Sequence, residues 1–383
     1  MAYWPAVIVA TPAHSQLSHA LSYACERALT PGTLVRVPLG KRDTLGVVAS
    51  CSDQLPEGIK PETVKGISEV LDGIAPLSAQ WLQLVGFAAK YYQRGLGEVA
   101  LAALPPELRK LDPTQLARRL KRNAKLAQAS TTLVQDSAHH PTGEPANDTV
   151  AAPVPTPIPT AAAAPPETTS EQALAASPEQ AQALASIATA TLPTLLFGTT
   201  GSGKTEVYLQ TAAALLEREP NAQVLVLVPE INLTPQLEGR FTQRFASFGV
   251  VSLHSGLTPA QRLQNWLSAH MGHARIVLGT RMAVFASMPQ LRLIVVDEEH
   301  DPSYKSQEGA RYSARDLAVY RSHSIEGCQV LLGSATPSLE TWHAAQTGRY
   351  QRLSMPSRIG GAALPALRLV DMARQPKQTV IAQ

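Results

Sequence analysis

Cysteine is scarce in this chain: Cys25, Cys51 and Cys328 are the three in 383 residues. They lie far apart, so they form neither a disulfide framework nor a zinc-ligand spacing, and their rarity fits a reducing compartment. Long apolar runs are missing too. The early stretch "AVIVA" is too short for a secretory h-region and has no basic segment before it, and no run is long enough to cross a bilayer. The expectation is a cytoplasmic protein with no membrane partner. A large charge excess is also absent. The net charge of +3 permits a nucleic-acid partner without arguing for one, so any basic surface must be local. No internal repeats appear.

What remains is a chain with 16% charged and 44% hydrophobic residues, a balance that suits a soluble α/β protein. At 383 residues it is too long for one core, and two or three domains are expected. Residues 1–105 alternate short β-rich runs, "AVIVA", "TLVRVPLG" and "TLGVVAS", with Pro and Gly turns. This predicts a small β-rich domain, followed by a helix in "SAQWLQLVGFAAKYYQ". Residues 106–126 read as a basic helix carrying Arg109, Lys110, Arg118, Arg119, Lys121, Arg122 and Lys125, which is equally a phosphate-tracking face or a solvated one. Residues 127–176 are rich in Pro, Ala and Thr with few large apolar residues. They cannot offset the entropy of ordering and read as a linker.

From residue 177 onward, continuous apolar strands alternate with helical patterns. The strand candidates are "TLLF", "QVLVLV", "VVSLH", "RIVLG", "LRLIVVD" and "QVLLGS". Such a series predicts a buried parallel sheet with helical crossovers over 177–383. The first strand runs into "GTTGSGKT": Gly198, Thr199, Thr200, Gly201, Ser202, Gly203, Lys204 and Thr205. This is the G-x-x-x-x-G-K-T phosphate loop in its required place between strand and helix. Its backbone N–H groups and the helix dipole favour phosphate oxygens. Lys204 is expected on the β- and γ-phosphates of ATP, and the Thr205 hydroxyl on Mg²⁺. "LRLIVVDEEH" ends a later strand in carboxylates. Asp297 is assigned to Mg²⁺ and Glu298 to the attacking water, with Glu299 and His300 linking the site to neighbouring motifs.

Loops at the carboxyl ends of parallel strands face the ligand side. Pro235, Gln236, Thr280 and Arg281 are therefore candidates to grip a nucleic-acid backbone. Beside the acids, Tyr304, Lys305, Arg311 and Tyr312 have the composition of a platform that stacks single-stranded bases and neutralises phosphate. A surface loop with its tyrosines packed on the domain is the alternative.

Six stretches, "GTTGSGKTEVYL", "LVLVPEINLTPQ", "LHSGLTPAQRLQNW", "ARIVLGTRMAVFA", "VVDEEHDPSYKSQEGARYSARDLAVYRSH" and "LLGSATPSLETW", resemble the primosomal protein N′ family of bacterial replication-restart helicases. "RVPLGKRDTLGVV" and "YYQRGLGEVALAALP" resemble that family's DNA 3′-end-binding domain. The resemblance implies an α/β chain in which a P-loop RecA-like helicase lobe follows a small β-rich DNA-binding domain and a Pro/Ala-rich linker. It implies an ATP- and Mg²⁺-dependent 3′→5′ DNA helicase acting in replication restart, with branched and single-stranded DNA, primosome proteins and single-stranded-DNA-binding protein as partners. It further implies Gln180 at the nucleotide, Gly40 and Lys65 at the 3′-end pocket, and residues 106–126 as the remnant of a winged-helix region. Leu21, Ser22 and Tyr23 replace an aromatic-Asp-Tyr run, and Ala310 replaces a larger residue in the aromatic loop. The family continues into a cysteine-rich zinc-binding region and a second lobe, and neither motif set occurs before Gln383. On sequence, therefore, the chain as given is expected to bind branched DNA and Mg²⁺-ATP. The alternative to a helicase is a fork-DNA and nucleotide-binding platform that does not unwind.

Overall fold

The computed structural model describes residues 2–11, 20–111, 114–123 and 176–359. Most of the expected linker, residues 127–175, lies outside the described residues, as do Lys125 and residues 360–383.

The N-terminal strands are β1 (Trp4–Val9), β2 (Leu21–Ser22), β3 (Leu34–Leu39), β4 (Arg42–Ser52) and β5 (Glu69–Val70). They form an antiparallel sheet in the order β2-β1-β4-β3-β5. Leu39 pairs with Arg42, so β3 and β4 are joined by the two-residue turn Gly40-Lys41. Gly40 takes a φ of 64°, the left-handed conformation that such hairpin turns favour. Helix α1 (Ala79–Tyr91) starts at Ser78, whose hydroxyl accepts from the Trp81 N–H. Its buried residues Trp81, Leu84, Val85 and Ala88 recur at helical spacing and make one apolar stripe. Helix α2 (Leu96–Ala102) lies so close to β1 that a Cβ on Gly97 would stand 1.7 Å from the Val9 carbonyl oxygen.

The basic segment differs from the continuous helix expected. Pro106–Arg109 forms a 3₁₀ turn, and helix α3 covers residues 114–123. Leu108, Leu111 and Leu116 are buried in the core. Arg122 donates to the Gln264 side chain at 3.1 Å and Asn123 to the Gln264 carbonyl at 3.1 Å, so α3 is docked on the following lobe.

The second part holds α4 (Pro178–Ala188), β6 (Thr194–Gly198), α5 (Lys204–Arg218), β7 (Gln223–Leu227), α6 (Pro235–Arg244), β8 (Val250–Leu253), α7 (Pro259–His270), β9 (Ile276–Gly279), β10 (Leu291–Val296), α8 (Ala314–His323), β11 (Gln329–Ser334), α9 (Leu339–Gln346) and β12 (Gln351–Met355). Seven parallel strands run in the order β12-β6-β11-β10-β7-β9-β8. Six of them are the strands predicted. The seventh, β12, has alternating exposure and no continuous apolar run to betray it. All seven carboxyl ends point to one edge, which is where polar loops can gather without breaking the core.

The two parts share apolar packing. The Trp81 indole N–H donates to the Phe285 carbonyl at 2.8 Å. The Phe87 and Tyr320 rings stack with centroids 3.6 Å apart. His270 Nε2 hydrogen-bonds the Ala75 carbonyl at 2.8 Å. Among the described residues, no helix is long and apolar enough to cross a membrane.

Candidate nucleotide site and the adjoining aromatic loop

Three segments distant in sequence meet at the carboxyl edge of the parallel sheet. The loop after β6 turns through Gly201 and Gly203, both at a φ of 84°, and delivers Lys204 as the first residue of α5. A Cβ at Gly201 would meet nothing within 4 Å, so that side of the loop is an open cradle. At Gly203 the same atom would stand 2.4 Å from the Gln180 amide nitrogen. Lys204 is buried, donates to the Gly198 carbonyl at 3.0 Å, and lies 3.7 Å from Glu298 Oε1. Thr205, Asp297, Glu298 and Gln180 line the same cleft.

Asp297 follows β10 directly. Its Oδ1 accepts from the Tyr208 hydroxyl at 3.2 Å. Burial, and then the neighbouring Glu298 charge, hold its pKa above the usual carboxylate range. Tyr208 was not singled out from the sequence, where it reads as an ordinary apolar position of α5. The signal lay in a second motif: a Cβ on Gly333, in "GSATPS", would fall 1.5 Å from the Tyr208 hydroxyl oxygen. Glycine there admits the tyrosine that orients the acid.

The next three residues diverge. Glu298 has a left-handed φ of 43°, uncommon without glycine, and this turns its side chain toward Lys204. Glu299 is buried and fully occupied. It accepts from the Ser338 N–H at 2.8 Å, from the Thr341 hydroxyl at 2.9 Å and from Arg315 at 3.2 Å. His300 bridges to the "GSATPS" loop, with Nδ1 2.8 Å from Ser334 Oγ and Nε2 3.2 Å from Thr336 Oγ1.

Several of the residues expected to contact ligand already have partners within the chain. Tyr304 is 2% exposed, and its hydroxyl donates between the Asp297 carbonyl at 2.6 Å and the Leu227 carbonyl at 3.0 Å. In this structure the ring is packed as a strut under the end of β10, rather than presented on the surface as a stacking platform would be. The Tyr312 ring packs edge-on against Phe285, centroids 4.9 Å apart, and burial pushes its pKa up to about 12. Composition alone could not reveal which rings face inward. Lys305 and Arg311 are exposed. Arg281 is engaged by Glu230 at 3.8 Å and by the Ser303 carbonyl at 3.4 Å, while Thr280 is buried and Pro235 and Gln236 are exposed. Gln180 has both ends of its amide in use. Its Oε1 accepts from the Ser177 N–H at 2.8 Å and its Nε2 donates to the Gly203 carbonyl at 3.3 Å, so it braces the phosphate loop.

Residues 177–344 match the DEAD/DEAH box helicase family model, and residues 6–105 match the 3′ DNA-binding domain model of PriA. Replication restart protein PriA of Haemophilus influenzae is 35% identical over 91% of this chain and 51% of its own length. The Treponema pallidum protein of the same name is 32% identical over 98% of the chain and 50% of its own length. The chain belongs to the replication restart protein PriA family. PriA of Bacillus subtilis is 45% identical over 47% of the chain and 22% of its own length. The chain thus spans about half the length, or less, of the curated relatives it matches.

Within the part that matches the PriA 3′ DNA-binding domain, the structure brings Gly40 and Lys65 together. The Lys65 ammonium donates to the Gly40 carbonyl at 3.3 Å, across 25 residues of sequence. Leu21 and Ser22 form the edge strand β2, half-buried. Tyr23 is buried, with its hydroxyl 3.2 Å from the Pro38 carbonyl.

Proposed function

We propose that these residues are the nucleotide-binding and DNA-engaging portion of an ATP-dependent 3′→5′ DNA helicase of the PriA family, acting at stalled forks with primosome proteins and single-stranded-DNA-binding protein as partners. One observation carries the reading: Lys204 and Thr205, which open α5 after the lobe's first strand, share a cleft with Asp297 and Glu298, which follow its fifth, β10. No structural need explains two adjacent carboxylates there, since Glu298 is strained and Asp297 is desolvated.

The residues present fit Mg²⁺-ATP. The cradle at Gly201 is open, the Ser202 hydroxyl is buried with no hydrogen-bond partner, and the N-terminus of α5 points its free N–H groups at the loop. Lys204 would exchange its bond to the Gly198 carbonyl for phosphate oxygens. Thr205 and Asp297 would hold the cation. Bound Mg²⁺ neutralises charge on the phosphates. Glu298 accepts a proton from the attacking water, and its 3.6 Å approach to His300 Nδ1 lets the "GSATPS" loop sense its position. Tyr208 keeps Asp297 oriented, and Tyr304 fixes the backbone from which it projects.

Lys305 and Arg311, exposed beside the acids, are the phosphate-contacting candidates of the loop, with Gly40 and Lys65 forming the contact to a DNA 3′ end. The test measures both ligands on one chain: a fluorescent ATP analogue with and without Mg²⁺, and DNA with a free or blocked 3′ end. The expectation is that Asp297→Asn removes the affinity gained from Mg²⁺, that free 3′ ends bind more tightly than blocked ones, and that DNA affinity falls steeply with salt. Analogue binding indifferent to Mg²⁺ in the unsubstituted chain, or equal affinity for both DNA ends, would overturn the reading.

A further inference from the structure

The loop over residues 305–313 closes on itself at its base. Lys305 and Ser313 form an isolated antiparallel bridge, and the Ser306 N–H donates to the Tyr312 carbonyl at 2.8 Å. On one side Tyr304 ties this base to the end of β10 through the Asp297 carbonyl. On the other side the tie comes from outside the lobe. Tyr92, at the C-terminal end of α1, accepts a hydrogen bond from the Ser313 N–H at 3.0 Å. Its ring also lies beneath the Lys305 ammonium, 5.3 Å from the centroid.

Ser313 is the N-cap of α8, its own hydroxyl accepting from the Asp316 N–H. An N-cap N–H has no place in the helix ladder and must find an acceptor elsewhere. The Tyr92 hydroxyl supplies it. Helix α1 is itself held on the lobe by the Trp81–Phe285 hydrogen bond and the Phe87–Tyr320 stack. Tyr92 is therefore presented to the loop by a firmly seated helix that belongs to the N-terminal sheet.

We propose that Tyr92 is a positioning residue that clamps the base of loop 305–313 to the N-terminal part of the chain, so that DNA engagement there biases the loop abutting Asp297. The clamp has two separable components. The hydroxyl holds Ser313, and the ring face holds Lys305. Tyr92→Phe removes the first and keeps the second, with little change in packed volume.

The test is hydrogen exchange on the full chain, comparing the unsubstituted protein with Tyr92→Phe. Peptides containing residues 305–313 should exchange about 2- to 10-fold faster in the variant, the range set by one lost hydrogen bond, while peptides from β10 and α1 are unchanged. Next, DNA with a free 3′ end is added in the presence of an ATP analogue. Protection of 305–313 should change in the unsubstituted chain, and the change should be lost in Tyr92→Phe, with analogue affinity retained. Equal exchange of the loop in both proteins overturns the clamp. An identical DNA response in both, or none in either, overturns the coupling. The coupling rests on the proposed function, which fails separately if Lys204→Ala leaves analogue affinity unchanged.

Discussion

The two sheets of this molecule place their polar chemistry in opposite ways. The parallel lobe keeps its central strands apolar and gathers its candidate site residues at one edge. Within that edge, three adjacent acids have three fates: Asp297 is oriented by Tyr208, Glu298 faces Lys204, and Glu299 is sealed among Arg315, Ser338 and Thr341. The antiparallel N-terminal sheet has no such edge. Its candidate contact is assembled from a hairpin turn at Gly40 and a distant lysine at Lys65. Both sites join residues distant in sequence, but the strand-end site takes each part from a short contiguous motif, whereas the turn-built site pairs two isolated residues.

The difference can be broken by mutation, and the largest effect is expected in the lobe. Tyr304→Ala removes a buried ring and a hydroxyl bonded to two carbonyls, so denaturant unfolding should show a loss of about 3–5 kcal/mol. A loss below about 1 kcal/mol would return the ring to the surface role first expected of it. In the N-terminal part, Gly97→Ala forces a Cβ onto the Val9 carbonyl and should cost about 1–3 kcal/mol in the same experiment. A neutral result would mean that α2 can move off β1.

Smaller effects separate function from packing. Asp297 is desolvated and beside Glu298, so its folded-state pKa is raised and its ionised form is unfavourable in the ligand-free chain. Asp297→Asn should therefore raise the melting temperature near neutral pH. The gain should shrink as pH falls through the raised pKa, where the native carboxyl is protonated and the penalty vanishes. A lowered melting temperature would show that the carboxylate is structural. Lys65→Ala, on an exposed side chain, should change stability by less than about 0.5 kcal/mol while reducing the preference for a free DNA 3′ end.

These contrasts also mark how far the sequence was readable. The phosphate loop, Asp297 and six of the seven parallel strands follow from a local pattern, because continuous apolar runs and glycine spacing act over a few residues. The inward turn of Tyr304 was not readable, since stacking and core tyrosines have the same composition. Tyr208 needed Gly333, 125 positions away, to show why an aromatic sits there. The docking of α1 on the lobe left no mark at all. Trp81, Phe87 and Tyr92 read as one apolar face and a terminal aromatic, and only the fold shows that they serve the lobe.

Calorimetric titration of an ATP analogue with Mg²⁺ into the unsubstituted chain and into Lys204→Ala tests the central claim most directly. Lys204 contributes a charge-assisted contact worth about 1.5–3 kcal/mol, so affinity should fall about 10- to 150-fold, with far-UV circular dichroism unchanged. Equal affinity in the two proteins would contradict the assignment of the cleft between Lys204 and Asp297 as the nucleotide site.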